Sequence, residues 1–231
     1  GGANFMKLKE GKNVVRFLPP PMGVNTPFKT VYQHYFKSPM SGDTLSFTCP
    51  RMMAKQKCPL CMKAAEFSKS RSKADKDAAR EFMPRRRIMA NIIDRQDPEA
   101  GPKIIGFGKT IQESLVAIRS DEDAGGDYTH PTSGFDIVIE RKGAGLNTKY
   151  SVIPARQDSP MGNMEWIAMQ HDLEQFGAVE SYEDLVAKLR EATGGSTAAE
   201  PSQQLPEGRK ARGNVIDASS EEGGGDDEMG W

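Results

Sequence analysis

Apolar and polar positions alternate in short segments along most of the first 155 residues, a pattern typical of half-buried β-strands. β-Branched and aromatic residues are concentrated in these segments, and turn-forming Pro, Gly and Asp separate them. We expect Phe17, Phe28 and Phe47 to face the core. The predicted strands are NVVRFL (13–18), FKTVYQHYF (28–36), TLSFTCP (44–50), RRRIMANIIDR (85–95), KIIGFG (103–108), FDIVIERK (135–142) and TKYSVIPAR (148–156).

Other stretches have a helical composition. Residues 59–82 are rich in Ala, Lys, Glu and Arg with few β-branched residues, which predicts an interrupted helix with a basic surface. Residues 109–120 carry three apolar side chains at helical spacing. After Pro154 the chain becomes acidic and is predicted to be helical. Its last helix begins at Ser181, where SYED resembles a capping box with Asp184 in place of Glu or Gln.

Several short strands and an inserted helical segment favour a mainly β architecture with α-helices. We expect a small β-barrel with an insertion that is held together by a metal ion. A short N-terminal arm (1–12) precedes a core of residues 13–193, which ends in C-terminal helices. From residue 194 onward Gly, Ser, Ala, Pro and acidic residues dominate without periodicity. We therefore expect residues 194–231 to form a disordered acidic tail.

The formal net charge of −1 conceals a strong asymmetry along the chain. Residues 1–155 carry 25 Lys and Arg against 16 Asp and Glu, a net +9, whereas residues 156–231 carry 6 against 16, a net −10. A basic body with an acidic tail is typical of nucleic-acid-binding proteins. Two solvated surfaces of different charge are the alternative interpretation.

Membrane insertion and disulfide scaffolding are not indicated by the sequence. No apolar run approaches the roughly 20 residues of a membrane span, and the first residues lack the apolar core of a signal peptide. The chain has three cysteines, two of them in a C-x-x-C motif. That number and spacing favour a reducing compartment and metal chemistry.

The segment from His34 to Cys61 holds all three cysteines in the pattern H-x14-C-x8-C-x2-C. Three thiolates and one imidazole are a ligand set that Zn²⁺ prefers, and four protein ligands leave no open position for water. His34, Cys49, Cys58 and Cys61 are therefore predicted to bind one structural Zn²⁺. Buried thiols that pack as small apolar groups, and a redox-active C-x-x-C, are the alternatives. A zinc deaminase would need an H-x-E motif, which this segment lacks.

Several of these segments, taken together, resemble the single-stranded DNA-binding protein of T-even-type bacteriophages. VVRFLP (14–19) resembles a core strand of that family, and the His34-to-CPLC segment resembles its zinc subdomain. ANI (90–92) after three arginines resembles a basic strand of the binding cleft. FGKTI (107–111), FDIVIERK and SYEDLVAKL resemble further segments in the same order, so the resemblance covers about residues 12–193.

This resemblance implies an OB-fold-like barrel with a zinc-bearing insertion at about 34–82 and an electropositive cleft. It also implies sequence-independent binding of single-stranded DNA in phage replication, recombination and repair, in the cytoplasm of the infected bacterial host. Single-strand binders use cations that follow phosphates and flat rings that stack on bases. The candidate cations are Arg85, Arg86, Arg87, Lys109, Lys142 and Lys149, and the candidate rings are Tyr32, Tyr35, Phe36, Phe107, Phe135 and Tyr150, each with core packing as its alternative.

The chain departs from the family pattern at two places. Ile88 and Met89 stand where the family carries aromatic residues, and Ile105 stands where a tyrosine is expected. The N-terminal arm that makes binding cooperative in the family is nearly absent here. We therefore expect fewer stacking rings and only weak self-association on DNA.

The acidic tail ends in an aromatic residue and has two interpretations. Asp226, Asp227 and Glu228 with the terminal Trp231 resemble the partner-docking tips of single-strand binders. The resemblance implies that such a tail recruits replication or recombination proteins. A solubilising tail with an incidental Trp is the alternative.

No catalytic constellation is evident, so a non-enzymatic function is expected. A two-metal nuclease would need closely spaced carboxylates, and residues 1–155 offer only a short acidic loop at 121–123. The rival to DNA binding is a zinc-ribbon adaptor that binds proteins and has no nucleic-acid function. A steep salt dependence of binding to single strands would separate the two.

Overall fold

A computed structural model describes residues 4–121, 123 and 126–195 of the chain. Strands and helices occur where the sequence patterns predicted most of them. The strands are β1 Phe5–Met6, β2 Gly11–Phe17, β3 Lys29–Lys37, β4 Thr44–Thr48, β5 Arg85–Asp94, β6 Pro102–Phe107, β7 Phe135–Lys142 and β8 Lys149–Asp158. The α-helices are α1 Pro50–Ala54, α2 Pro59–Ser68, α3 Lys73–Phe82, α4 Lys109–Ser120 and α5 Tyr182–Ala192. Short 3₁₀ turns lie at Pro98–Ala100, Gly145–Asn147, Met164–Ile167 and Glu174–Gly177.

The strands form one mixed sheet in which β5 is the central element. The hydrogen-bonded order is β1-β6-β5-β2-β7-β8, and β3 pairs with both β5 and β4. Most pairs are antiparallel, whereas β1 runs parallel to β6. Within the described residues these pairings do not close the sheet into a ring. The predicted barrel is thus observed as a large mixed sheet, with α4 contacting both β8 and β5.

The main core lies between the sheet and α4. Ile111, Leu115 and Ile118 are the buried residues of α4, at the spacing that the sequence indicated. They pack against Phe17, which is fully buried, as predicted. Phe28 is partly buried and contacts Phe17 edge-on with 6.2 Å between ring centroids.

A second core surrounds the insertion between β4 and β5, which contains α1, α2 and α3. Phe47 and Leu60 are buried there beside the cysteines, and α5 adds Leu185 and Leu189. Ser181 caps α5, since the backbone N–H of Asp184 donates to its hydroxyl at 3.1 Å. The C-terminal helix therefore packs its apolar face onto the cysteine cluster.

The region from Pro154 to Ser181 differs from the helical prediction. Strand β8 continues to Asp158, and the following stretch forms 3₁₀ turns and loops without an α-helix. Pro160 and glycines at 162 and 177 interrupt the helical pattern there. The antiparallel pairing of β8 with β7 determines the structure as far as Asp158.

Part of the predicted N-terminal arm belongs to the sheet. Phe5 and Met6 pair with Ile104 and Ile105 of β6. The tail from residue 196 to 231, including the predicted docking tip, lies outside the described residues. No helix in the described part of the chain is long and apolar enough to cross a membrane.

A buried arginine fixes the loop between α4 and β7. Arg16 on β2 is fully buried, and its guanidinium donates to the carbonyls of Tyr128, His130 and Phe135, the last at 2.9 Å. Gly134 lies against this group, and a Cβ there would come within about 2.5 Å of the guanidinium and of the His130 carbonyl oxygen. Arg16 thus anchors residues 128–135 of this loop, and Gly134 leaves room for its guanidinium.

Candidate metal centre and nucleic-acid interface

Three elements bring the predicted ligands together. His34 lies on β3, Cys49 follows β4, and Cys58 and Cys61 lie at the start of α2. Cys49 and Cys58 occupy the residue before a helix, and the proline that follows each is the first helical residue. Proline is preferred at that position because its φ angle already matches the helix. The two Cys-Pro steps therefore direct their thiols toward the same point.

The four donor atoms form one compact buried group and lie within 4.8 Å of one another. The Cys49 and Cys61 sulfurs are 3.5 Å apart, and His34 Nε2 lies 3.3 Å from Cys58 Sγ and 3.6 Å from Cys61 Sγ. A tetrahedral Zn²⁺ with Zn–S bonds of ~2.3 Å requires S···S separations of about 3.8 Å. The donor set and its spacing fit a metal ion such as zinc.

Electrostatics within the cluster favour one thiolate, at Cys49, whereas hydrogen bonds to Cys49 and Cys58 raise the pKa of Cys61. Hydrogen bonds from Cys58 and Cys61 hold the pKa of Cys49 well below its ordinary value, because they stabilise the charged sulfur. Burial lowers the pKa of His34, but hydrogen bonds to Cys49 and Cys58 outweigh it and raise the pKa to about 9. The imidazole therefore holds a proton that a metal cation displaces on binding.

The second nitrogen of His34 makes a hydrogen bond that leaves the cluster. Its Nδ1 lies 2.9 Å from the carbonyl oxygen of Phe82 at the end of α3. Since a carbonyl oxygen only accepts, Nδ1 donates, and Nε2 is the nitrogen that faces the sulfurs. A ligating histidine commonly donates its other N–H in this way, which fixes the ring orientation.

A groove of about 570 Å³ lies beside the metal cluster, between the end of β3 and the start of β5. Four of the predicted DNA-binding residues line it: Tyr35, Phe36, Arg85 and Arg87. The rest of its lining is Lys37, Thr44, Glu81 and Phe82. The structure thus brings part of the predicted cation and ring set to one concave surface.

The cations of the groove are held in place by neighbouring groups. The guanidinium carbon of Arg85 lies 5.8 Å from the ring centroid of Tyr35, within the range of a cation–π contact. Arg87 donates to the carbonyl of Gly106 at 3.0 Å. The two arginines are two residues apart on one strand, so both side chains project from the same face of β5.

A column of three phenylalanine rings lies beside the groove, and its Phe36 and Phe82 are partly buried against the core around the cysteines. Phe67 and Phe82 are stacked with 5.7 Å between centroids, and Phe82 and Phe36 are stacked at 6.4 Å. Phe36 and Phe82 reach the groove lining, whereas Phe67 does not line it. Cationic and flat aromatic groups therefore face one concavity, which is the combination that single-stranded nucleic acids require.

The gp32 DNA binding protein like family model matches residues 9–194. The chain belongs to this family. The resemblance to the phage single-stranded DNA-binding protein is thereby confirmed, and the gp32-like family is non-enzymatic. A comparison with curated proteins finds no significant match.

Other predicted contacts of this gp32-like chain lie outside the groove lining. Arg86 points to the other face of β5 and donates to Gln112 of α4 at 2.8 Å. Lys109 lies at the start of the same helix and is exposed. Exposed Lys142 and Lys149 face each other across the β7–β8 pair. These cations form two further basic positions on the gp32-like surface.

Two predicted stacking rings are placed in the core. Phe107 is 2% exposed and Phe135 is 3% exposed, and both belong to the main core cluster. A ring packed on all sides presents no face to a base, so both are corrected to core residues. Tyr150 is partly buried against the same cluster, and Tyr32 is partly buried against the core around the cysteines.

The sequence interpretation missed Lys37 and Phe82, which also line the groove. Lys37 lies two residues after Tyr35 on β3, so strand alternation places both on the same face. The sequence predicts only a basic helix at Phe82, which lies three residues before Arg85. The alternation of β3 was a usable signal for Lys37. The stacking of Phe82 depends on tertiary contacts.

Proposed function

We propose that this protein binds single-stranded DNA independently of sequence, through the groove between β3 and β5, and that it has no enzymatic activity. In the phage context it protects and organises single strands during replication, recombination and repair in the cytoplasm of the infected bacterial host. The observation that supports this proposal most is the groove itself, where Arg85 and Arg87 face Tyr35 and Phe36 in a gp32-like chain.

The chemistry of the groove explains why binding does not depend on the base sequence of the DNA in this proposal. Arginines that contact phosphates act on a part of the strand that every nucleotide shares. Flat rings stack on any base, since every base has a π-face, and each stack contributes about 1–3 kcal/mol. Lys109, Lys142 and Lys149 extend the basic surface beyond the groove. Duplex DNA hides its base faces, so the rings gain contacts only with single strands.

Zn²⁺ has a structural role in this proposal. His34, Cys49, Cys58 and Cys61 would hold one ion with four protein ligands, and such a site has no open position for a substrate. The ion would tie β3 and the start of α2 together. It therefore supports the wall of the groove without contacting DNA.

The acidic tail is proposed to recruit replication or recombination proteins. Asp226, Asp227 and Glu228 supply negative charge, and Trp231 supplies an apolar anchor for a pocket on a partner.

A titration of fluorescently labelled oligo-dT tests the proposal. We expect binding to weaken steeply as NaCl concentration rises, with little change when mixed-sequence single strands replace oligo-dT. The duplex of the same mixed sequence should bind much more weakly. Binding with a flat salt dependence, or equal binding of duplex, would reject single-strand specificity and favour the protein-adaptor alternative.

A further inference from the structure

The hydrogen bond from His34 to Phe82 joins the metal cluster to the wall of the groove. His34 is 1% exposed, so this bond is shielded from water and is costly to break. Phe82 is also the middle ring of the aromatic column, between Phe67 and Phe36. One residue therefore contacts a metal ligand through its backbone and a groove ring through its side chain.

Because Phe82 stacks on Phe36, the position of Phe82 determines where the Phe36 ring lies in the groove lining. Its rings come from three elements, because Phe67 lies on α2, Phe82 ends α3, and Phe36 lies on β3. Helix α3 packs along α2 and also contacts β3, and Phe82 at its end packs against the core around the cysteines. The His34 bond and the two ring stacks add to these contacts and join this end of the helix to the metal cluster and to the groove.

We propose that Phe82 is a positioning residue that couples the metal cluster to DNA binding. A ligand at Nε2 of His34 leaves the ring proton on Nδ1, the nitrogen that donates to Phe82. This bond keeps the rings of Phe67, Phe82 and Phe36 stacked, so that Phe36 presents a preformed surface to a base. The inference rests on the proposed function, since it specifies how that groove is kept ready for a single strand.

Coupling of this kind acts in both directions. If the geometry of His34 sets the position of Phe36, then a base on Phe36 also alters the surroundings of the His34 ring. The other two histidines of the chain serve as internal controls. His130 lies in the loop before β7 and His171 bonds to Asn91 and Pro102, and neither lines the groove.

The first experiment compares Phe82→Leu with Phe5→Leu in the full chain carrying one Zn²⁺. Phe5 is a matched control, because it is partly exposed, contacts Phe176 edge-on and does not line the groove. We expect Phe82→Leu to keep its zinc and to bind oligo-dT about 5- to 150-fold more weakly, the range of one lost base stack. The slope of affinity against salt should stay unchanged, because phosphate contacts remain.

The second experiment uses the unaltered protein and therefore does not depend on how the variant folds. Nitrogen NMR of the zinc-loaded chain should show the proton of His34 on Nδ1. Saturation with oligo-dT should shift that resonance and leave those of His130 and His171 in place. Phe82→Leu that binds like Phe5→Leu, or an unmoved His34 resonance at saturation, would overturn the coupling. Failure of the unaltered protein to bind oligo-dT would instead reject the proposed function.

Discussion

The guanidinium of Arg85 lies over the ring of Tyr35, with 5.8 Å between the guanidinium carbon and the ring centroid. The two residues come from different strands, β5 and β3, and line the same groove. The proposed phosphate-binding cation and the proposed base-stacking ring are thus already in contact before any ligand arrives. Preorganisation of this kind reduces the entropy that is lost when a strand binds.

Neutralising the groove arginines should reduce the electrostatic part of DNA binding. The double variant Arg85→Gln and Arg87→Gln should bind oligo-dT more weakly, with a salt slope that is shallower by about 1.4, since each phosphate contact on a single strand contributes about 0.7. Arg119→Gln with Lys188→Gln is the matched control, because it removes the same charge outside the groove. Equal slopes in the two double variants would place the phosphate path elsewhere.

Truncating groove rings and core rings should have different consequences. Phe36→Leu should lower oligo-dT affinity by about 1–3 kcal/mol if a base stacks there, with the salt slope unchanged. Phe135→Ala should instead lower the free energy of unfolding by about 3–5 kcal/mol, because its ring is buried in the main core. Urea unfolding and anisotropy titrations on both variants make the comparison. A folded Phe135→Ala with selectively weakened binding would contradict this assignment.

Metal removal should destabilise the protein. Metal analysis should find one Zn²⁺ per chain, and Cys58→Ser should lose it. If the lost ligand costs about 3 kcal/mol, Tm falls by roughly 6–12 °C in a chain of this size. Chelation of the unaltered protein should lower Tm in the same direction, and added Zn²⁺ should restore it. Identical melting with and without the metal would show that the cluster has no structural role.

The buried Arg16 should be essential for stability and dispensable for DNA contact. Arg16→Lys keeps the charge but loses the planar group that serves three carbonyls, so the free energy of unfolding should fall by roughly 2–4 kcal/mol. Gly134→Ala should also destabilise the protein, because its Cβ meets the same guanidinium. Lys12→Met on the same strand is a suitable surface control. Urea titrations that show no loss in Arg16→Lys would contradict the role of Arg16 as the anchor of this loop.

Deleting residues 213–231 should tighten oligo-dT binding at low salt, because the acidic tail competes with DNA for the basic groove. The gain should vanish as salt screens the charges. Two variants separate the charges from the ring. Neutralising Asp226, Asp227 and Glu228 should reproduce the tighter binding, whereas Trp231→Ala should abolish capture of replication or recombination proteins and leave DNA affinity unchanged. If the deletion alters neither oligo-dT affinity nor partner capture, the tail serves only to keep the protein in solution.

Local sequence determined the metal cluster and most of the strands. His34, Cys49, Cys58 and Cys61 lie within a short segment, and the two Cys-Pro steps define local geometry, so spacing alone indicated the ligand set. Alternating apolar residues likewise predicted the strands, because side chains on a strand point to opposite faces in turn. The stretch after Pro154 was mispredicted for two reasons. Composition carries no information about the pairing of β8 with β7, which continues to Asp158, and Pro160 and the glycines at 162 and 177 interrupt the helical pattern beyond it.

Only the tertiary structure decided which aromatic rings reach the groove. Phe36 and Phe107 both lie on strands close to cations in the sequence, and nothing in their local pattern separates them. Phe107 is buried because the main core covers its face of the sheet, whereas Phe36 stacks on Phe82 and reaches the groove. An aromatic side chain can pack in the protein core or stack on a nucleic-acid base. Its role therefore depends on whether another element covers its face of the sheet.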